Sequence, residues 1–552
     1  MNKRNFLKSI AALGGSALLP SSINPLSMYK TASAAVDYSS ATVVAPSTMP
    51  QVINIFLYGG PSELSGNLSN IVDINANSQN PYDSNAAFGS NILTFDNAAD
   101  GSDGFITKNG FWRGRSRTTA QGNTHLDIGG AGGRAMQFML DRGHMSVYRT
   151  LMKRLDGTRS HRESLLQSFK GSLDIEMSAG VGTKIAASIY QHRGEFEKGS
   201  TSLADGTVIN DITTDMLLPF VSFEGDTRAY QQDPNFQIPL AFRGITLDQD
   251  FDNPFSRSST TAANGVPHSD LDDLAAIMRT AEYDQRYLGA ANGFNLRSDL
   301  DAKIENIGSS STSPLPIVTD PIDAASVGIA PNTPLVYPNN RYTTRVRAAV
   351  TLALVNPGSL YITVGGGLGG WDDHNNGTTN YGGRMNDLFE VMKAAMLHIK
   401  YFNGNTINNQ PRTTNDNIVI NMCGDFGRRV NLNGNQGWDH GNNQNLFTFG
   451  GADVRAGGAG SLGKVFGTTV RVGATGTNNQ VTEPAPGSYE AEPMSVASTV
   501  FSYFGVQDPE KLTRDDELNP DGVPAIDETR TDNVPAEPGV PSPDVDDVTP
   551  FP

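Results

Sequence analysis

Short apolar runs that end in glycine-rich loops recur along this chain, and they constrain its fold more than any other feature. Val52–Leu57 runs into Tyr58-Gly59-Gly60-Pro61, Leu360–Val364 into Gly365–Gly370, and Ile418–Cys423 into Gly424-Asp425-Phe426-Gly427. Runs of this length bounded by turn formers predict buried strands. Met145–Leu151, Phe220–Phe223, Leu446–Phe449 and Val465–Val472 read the same way.

Helical patterns lie between these runs. Ser160 stands where an N-cap would open a helix on His161-Arg162-Glu163, with Glu163 placed to bond back and Leu165, Leu166 and Phe169 supplying an apolar face. Ser269 and Asp272 open a second helix through Leu288, followed by one near Leu296–Ile307. Arg345–Leu354, Met385–Phe402 and Met494–Phe504 complete the set, the last closed by Gly505 as a left-handed cap. Strands alternating with helices predict an α/β domain around a mostly parallel sheet. Function in such sheets gathers in loops past the carboxyl ends of the strands. Asp73–Gly110 reads as a long polar loop. Ser309–Pro338, rich in Pro and Ser, is the best candidate for an internal linker, although it does not divide the domain.

The ends differ from the middle. Residues 1–35 read as an export signal: Lys3-Arg4, a weakly apolar stretch from Ile10 to Leu19, then Ala32-Ser33-Ala34. The arrangement resembles a twin-arginine signal with Lys-Arg in place of Arg-Arg; an ordinary amphipathic helix is the plainer alternative. The expectation is an exported protein, periplasmic or extracellular, with its main domain over 36–514. From Asp515 to Pro552 the chain is rich in Pro, Asp and Glu and reads as a solvated tail.

Composition narrows the function classes. A net charge of −17 over 552 residues argues against a nucleic-acid partner, which demands clustered Lys and Arg. No segment has the length and apolarity of a membrane span. The single cysteine, Cys423, forms no intrachain disulfide, and its apolar run predicts a buried strand thiol. The Gly365–Gly370 run lacks the Lys-Ser/Thr pair of a phosphate loop, so no nucleotide cofactor is expected.

Chemistry-bearing residues follow three of the predicted strands or their loops. Trp371-Asp372-Asp373-His374, Asp425-Phe426-Gly427-Arg428-Arg429 and Gly437-Trp438-Asp439-His440 each pair carboxylates with imidazole or guanidinium groups. Carboxylates and imidazoles are ordinary ligands of zinc and similar divalent ions, but Asp and His are also common turn formers. Arg428 has two readings, a planar fork for an anionic ester or a simple partner for Asp425. Trp371 and Trp438 read as packing walls or as sugar-stacking platforms. His161, at a helix start, is a candidate neighbour of the site. His125, His144, His192, His268 and His398 lack an acidic or imidazole partner at ligand spacing and read as structural or exposed.

These three motifs resemble the Gly-Trp-Asp-Thr-His, Glu-Phe-Gly-Arg-Thr and Gly-Arg-Asp-His motifs of the domain-of-unknown-function 1501 family. Tyr58-Gly59-Gly60-Pro61-Ser62, His161 and Phe504-Gly505-Val506 add to the likeness, which runs from about Val52 to Ile526. That family is similar to the alkaline phosphatase and sulfatase superfamily, which implies a three-layer α/β/α sandwich and a divalent-metal hydrolase ancestry. The resemblance implies a first metal position formed by Asp372, His374 and His440, with Asp425 and Asp439 as further ligands or as carboxylates standing behind the ligands, and a catalytic set of Asp425, Arg428 and His161. The second metal position is damaged. Phe426 stands where a His belongs, Ser65 and Leu68 replace early Asp residues, and Glu63 is the nearest acid. Ser62, Thr150 and Ser160 are all nucleophile candidates. The implied function is metal-dependent hydrolysis of phosphate or sulfate esters, on a polymer or glycan fragment, with one divalent ion such as zinc. The alternative is a non-catalytic secreted or surface binding protein that keeps a degenerate hydrolase site.

Overall fold

The computed structural model describes residues 36–62, 134–223, 228–246, 315–365, 368–435, 437–473, 480–515 and 518–530, with short strand pairs between 105 and 125 as backbone. Residues 1–35, expected as an export signal, the helices expected over 269–288 and 296–307, His268, and Glu63, Ser65 and Leu68 lie outside the described residues. So does the loop expected over 73–110, apart from Phe105–Ile106.

The central strand, β1 (Gln51–Leu57), is buried along its whole length. Seven more strands join it: β2 (Met145–Met152), β3 (Phe220–Ser222), β4 (Ile245–Thr246), β5 (Tyr361–Val364), β6 (Ile418–Gly424), β9 (Asn443–Gly450) and β10 (Val465–Phe466). A separate hairpin, β7 (Arg428–Leu432) and β8 (Trp438–His440), lies between β6 and β9 in sequence. The order across the sheet is β10-β2-β9-β6-β1-β5-β3-β4. Strand β1 pairs in parallel with β6 on one side and β5 on the other, and only β9 runs against its neighbours. The result is a mixed, mostly parallel eight-stranded sheet. The strand expected over Val465–Val472 is split into Val465–Phe466 and Thr469–Val472, with Gly467 between them at φ +84°.

Both faces of the sheet carry helices, which explains why its strands read as continuous apolar runs instead of alternating ones. On one face, Ile53, Ile55 and Leu57 of β1 meet α1 (Arg134–Asp141), α4 (Thr343–Val355) and α5 (Gly377–Tyr401). On the other, Val52 and Phe56 meet α2 (His161–Lys170), α3 (Val181–Gln191) and α6 (Ser495–Tyr503). Each large apolar side chain removed from water contributes about 1.5–3 kcal/mol, which makes the two cores the main source of stability. Ser160 caps α2 as expected by accepting from the Glu163 backbone. The Glu163 carboxylate does not bond back; it accepts from the Thr158 hydroxyl at 2.5 Å. Cys423 is buried in β6. Among the described residues no helix is long and apolar enough to cross a membrane.

Two expectations about the periphery change. The described part of Ser309–Pro338 is packed structure, not a linker. It forms the strand pair Ile317–Val318 with Thr333–Pro334 and the helix Pro321–Ser326, and buries Val318, Ala324, Leu335 and Tyr337. Asp323 is fully buried there and takes Lys400, Tyr401 and Arg142 as partners. Likewise, the solvated tail does not begin at Asp515. Val523 and Ile526 are buried, and Glu528 pairs with the buried Arg455 while accepting from the Tyr503 hydroxyl at 2.6 Å. Composition concealed this because two apolar anchors and one ion pair suffice to seat a polar segment. Residues 531–552 lie outside the described ones.

Removing the carboxylate in Glu528→Ala leaves the Arg455 charge buried without its partner. A loss of about 3–5 kcal/mol in chemical denaturation is expected; a loss under about 1 kcal/mol would show that the ion pair does not hold the segment. A second prediction concerns His398, buried against Tyr337 with Tyr337 Oη 3.1 Å from its Nδ1. Burial, with the Arg347 charge, pushes its pKa down to about 3. The unfolded chain therefore binds a proton below about 6.5 that the native one refuses, so stability falls with falling pH by roughly 1.4 kcal/mol per unit for this group. In His398→Gln, the stability difference between pH 6.5 and pH 5 should shrink by about 2 kcal/mol.

Candidate metal centre

The loops at the carboxyl end of the sheet converge beside β1, where chain direction across the sheet places β5 on one side and β6 on the other. Gly59 and Gly60, just past β1, let this happen. Gly59 has φ +111°, and a Cβ there would stand 2.3 Å from the Asp372 backbone nitrogen. Gly427, after β6, passes so close to β9 that a Cβ would stand 1.6 Å from the Asn443 carbonyl. Only glycine permits both approaches.

Arg428 ties the loops together. Its side chain is fully buried and donates to the carbonyls of Gly59, Gly60, Trp371 and Trp438, and to Asp372 Oδ1 at 2.8 Å. The expected alternatives for this residue, an anion fork or a partner of Asp425, do not describe its bonds. Its donors are taken by backbone and by Asp372, and Nη1 also stands 3.5 Å from His374 Nε2.

Four side chains meet at one point. Asp372, His374, His440 and His161 each offer a ligand atom, and these atoms lie within 4.8 Å of one another. Asp372 Oδ1 is 3.3 Å from His161 Nε2, 3.2 Å from His374 Nε2 and 3.6 Å from His440 Nε2. Ligand atoms bound tetrahedrally at about 2.0–2.1 Å sit about 3.3 Å apart, so the spacing suits one zinc-sized ion. His161 thus belongs with the ligand group; its place at the start of α2, next to the Ser160 cap, was the available signal.

The other ring nitrogens fix which atoms face inward. His440 Nδ1 lies 2.8 Å from the Arg159 carbonyl, which can only accept. His374 Nδ1 lies 3.2 Å from Asp439 Oδ1, and His161 Nδ1 lies 2.5 Å from Asp425 Oδ2. Each Nδ1 is therefore the donor, which turns the Nε2 of each ring toward the ligand point. The Nε2 atoms of His374 and His440 are only 2.7 Å apart, and buried His161 Nε2 has no hydrogen-bond partner. Lone pairs aimed at each other at that distance repel unless a proton or a cation sits between them. Burial and the neighbouring Arg428 charge push the His440 pKa down to about 4, so at neutral pH that ring does not supply the proton. Three imidazole nitrogens and one carboxylate oxygen grouped this closely are a donor set that could hold a divalent cation.

The carboxylates have separate tasks. Burial would raise the Asp372 pKa, but Arg428 and the imidazoles outweigh it and hold the group ionised; its side chain is 49% exposed and opens the centre to solvent. Asp425 is buried; burial raises its pKa against the pull of His161 and the Gly59 N–H, and it orients His161 instead of meeting the ligand point. Asp439, expected as a ligand or as a carboxylate behind one, takes the second place: it lies on the far nitrogen of His374, where Asn433 also donates to it at 3.1 Å. Asp373 turns away and pairs with Arg384.

Phe426, which stands in the sequence where the resemblance would place a second metal's His, forms an aromatic wall beside the ligand group. The Phe426 ring packs 4.3 Å from the His440 ring and 4.7 Å from the His161 ring. Trp371 and Trp438 are fully buried, Trp371 stacked on Tyr342 and Trp438 edge-on to Tyr381, so neither presents a face to a sugar. Of the nucleophile candidates, Thr150 donates to the Tyr489 carbonyl and Ser160 caps α2. Ser62 is buried with an unpartnered hydroxyl. His144 and His398 are buried away from the centre, and His192 bonds the Tyr38 carbonyl.

Because Asp439 orients His374 without touching the ligand point, Asp439→Asn should fold normally and bind zinc about 10–100-fold more weakly. Competition with a chromophoric chelator measures this, and unchanged affinity would deny Asp439 the role.

The chain matches no protein-family model, no curated protein and no solved structure.

Proposed function

We propose that this protein is an exported metal-dependent hydrolase of phosphate or sulfate esters, related to the alkaline phosphatase and sulfatase superfamily through the domain-of-unknown-function 1501 family. The observation that carries the reading is the convergence of three imidazole Nε2 atoms and one carboxylate oxygen, each imidazole oriented by a partner on its far nitrogen. Helices on both faces of a mostly parallel sheet, with the centre at the strand ends, support the likeness in fold. Three nitrogen donors with one oxygen favour zinc or a similar borderline ion over magnesium or calcium, which take oxygen ligands.

When bound, such an ion polarises an ester oxygen and lowers the pKa of water. The chain's own residues do the rest. His161, His374 and His440 turn their Nε2 atoms inward, Asp372 keeps one ionised oxygen at the solvent side, and the Phe426 ring closes the flank beside His161 and His440. Thr150 and Ser160 are committed to structural bonds, which leaves Ser62, buried with an unpartnered hydroxyl, as the remaining nucleophile candidate of the chain.

The second reading is a binding protein that keeps this centre without turnover. Phe426, in place of the His that the resemblance would give a second ion, favours it, since in-line displacement in two-metal hydrolases uses an ion at each oxygen.

Purified protein should contain close to one zinc-like ion per chain, lost in His374→Ala and His440→Ala, and should hydrolyse aryl phosphates or sulfates. An ion without hydrolysis selects the binding protein, and no ion in the wild type removes both forms of the proposal.

A further inference from the structure

A buried ammonium stands behind two of the three imidazoles. Lys153 follows directly on β2 and is 6% exposed. Its backbone N–H donates at 3.1 Å to the carbonyl of Asn442, two residues past His440. Its side chain gives all three ammonium protons to protein acceptors: the Thr158 carbonyl at 3.1 Å, Ser164 Oγ at 2.9 Å and Gln167 Oε1 at 3.0 Å. Asp156 supplies the opposite charge at 3.5 Å. That carboxylate in turn accepts from the Thr158 backbone N–H at 2.9 Å and from Gln167 Nε2 at 2.5 Å.

The acceptors bracket the residues that orient the centre. Thr158 precedes Arg159, whose carbonyl meets His440, and Ser164 stands one helical turn beyond His161. Lys153, Asp156, Ser164 and Gln167 also line one small cavity with Asp425, the carboxylate that orients His161. Burying an ammonium is unfavourable unless every donor is met and a countercharge is near, and an aliphatic side chain would fill the position without that penalty. Three bonds from one atom fix the spacing between the loop at 158 and the helix at 164 and 167, and so the way the chain enters α2. His374 is held elsewhere: its far nitrogen meets Asp439, which Asn433 ties to the β7–β8 hairpin.

We infer that Lys153 is a positioning residue for two of the three imidazoles: it holds residues 158–161 so that the Arg159 carbonyl meets His440 Nδ1 and His161 Nδ1 meets Asp425. Lys153 belongs to none of the three motifs and acts only through Thr158, Ser164 and Gln167. Its effect on zinc rests on the metal reading above, whereas its effect on the two rings needs no ion.

Proton NMR of the full-length protein, stripped of metal with a chelator, reads the hydrogen-bonded Nδ1–H protons, each assigned by its loss in His161→Gln, His374→Gln or His440→Gln. In Lys153→Met the protons of His161 and His440 should shift or broaden while that of His374 stays in place. Ser164→Ala, which removes a single acceptor, should move the same two protons by less, and it decides the matter if Lys153→Met does not fold. Titrated with zinc against a competing chelator, Lys153→Met should bind the ion about tenfold or more weakly than the wild type. Unmoved protons of His161 and His440 overturn the inference, as does equal movement of all three, which reports a general loosening. Wild-type zinc affinity in Lys153→Met overturns it too. Selective movement of the two protons in a protein that takes up no zinc sinks the metal reading and keeps the positioning role.

Discussion

One buried side chain governs the geometry of this protein's centre. Arg428 spends its donors on four backbone carbonyls from three separate loops and on one carboxylate oxygen. Each of those carbonyls, if left without a donor in the interior, would cost about 1–3 kcal/mol. The loops after β1, after β5 and at β8 therefore have one shared low-energy arrangement. Lysine could not substitute, since a point ammonium cannot reach acceptors spread around a planar fork. The permanent charge also acts on the chemistry. It keeps Asp372 ionised and holds His440 neutral, which is the protonation pattern a cation site requires.

Around that hub, the imidazoles are oriented from behind by three different acceptors: a buried carboxylate, a half-exposed carboxylate and a backbone carbonyl. The variety has a consequence. Asp425 is linked through Gly59 to the turn after β1, Asp439 through Asn433 to the β7–β8 hairpin, and the Arg159 carbonyl to the segment leading into α2. Each ligand is thus set by a different part of the fold, and the ligand point exists only when all of them are folded.

Much of the architecture was legible in the residues. Strands β1, β2, β5 and β6 follow from apolar runs too short for helices and bounded by glycine. The start of α5 was not legible: the helix begins at Gly377, before the apolar pattern from Met385 begins. A glycine there would argue against helix, yet a Cβ at Gly377 would stand 2.8 Å from the Trp438 ring, so packing decides. Ser309–Pro338 and the segment after Asp515 misled for a related reason. Their Pro and acidic residues dominate composition, while a few anchors, such as Tyr337, Val523, Ile526 and Glu528, decide burial.

By itself, the sequence determined that this chain builds an α/β sheet and that its chemistry stands in glycine-flanked loops at strand ends, because local propensity and apolar patterning act within a few residues. It also marked Asp372, His374 and His440, whose spacing after strands is a local property. Only the tertiary structure decided that His161 joins them, that Asp439 stands behind His374, and that Arg428 is a tie between loops. Those roles depend on which side of a ring or fork meets its partner. Such orientation is set by contacts between residues up to several hundred positions apart, and no local pattern encodes it.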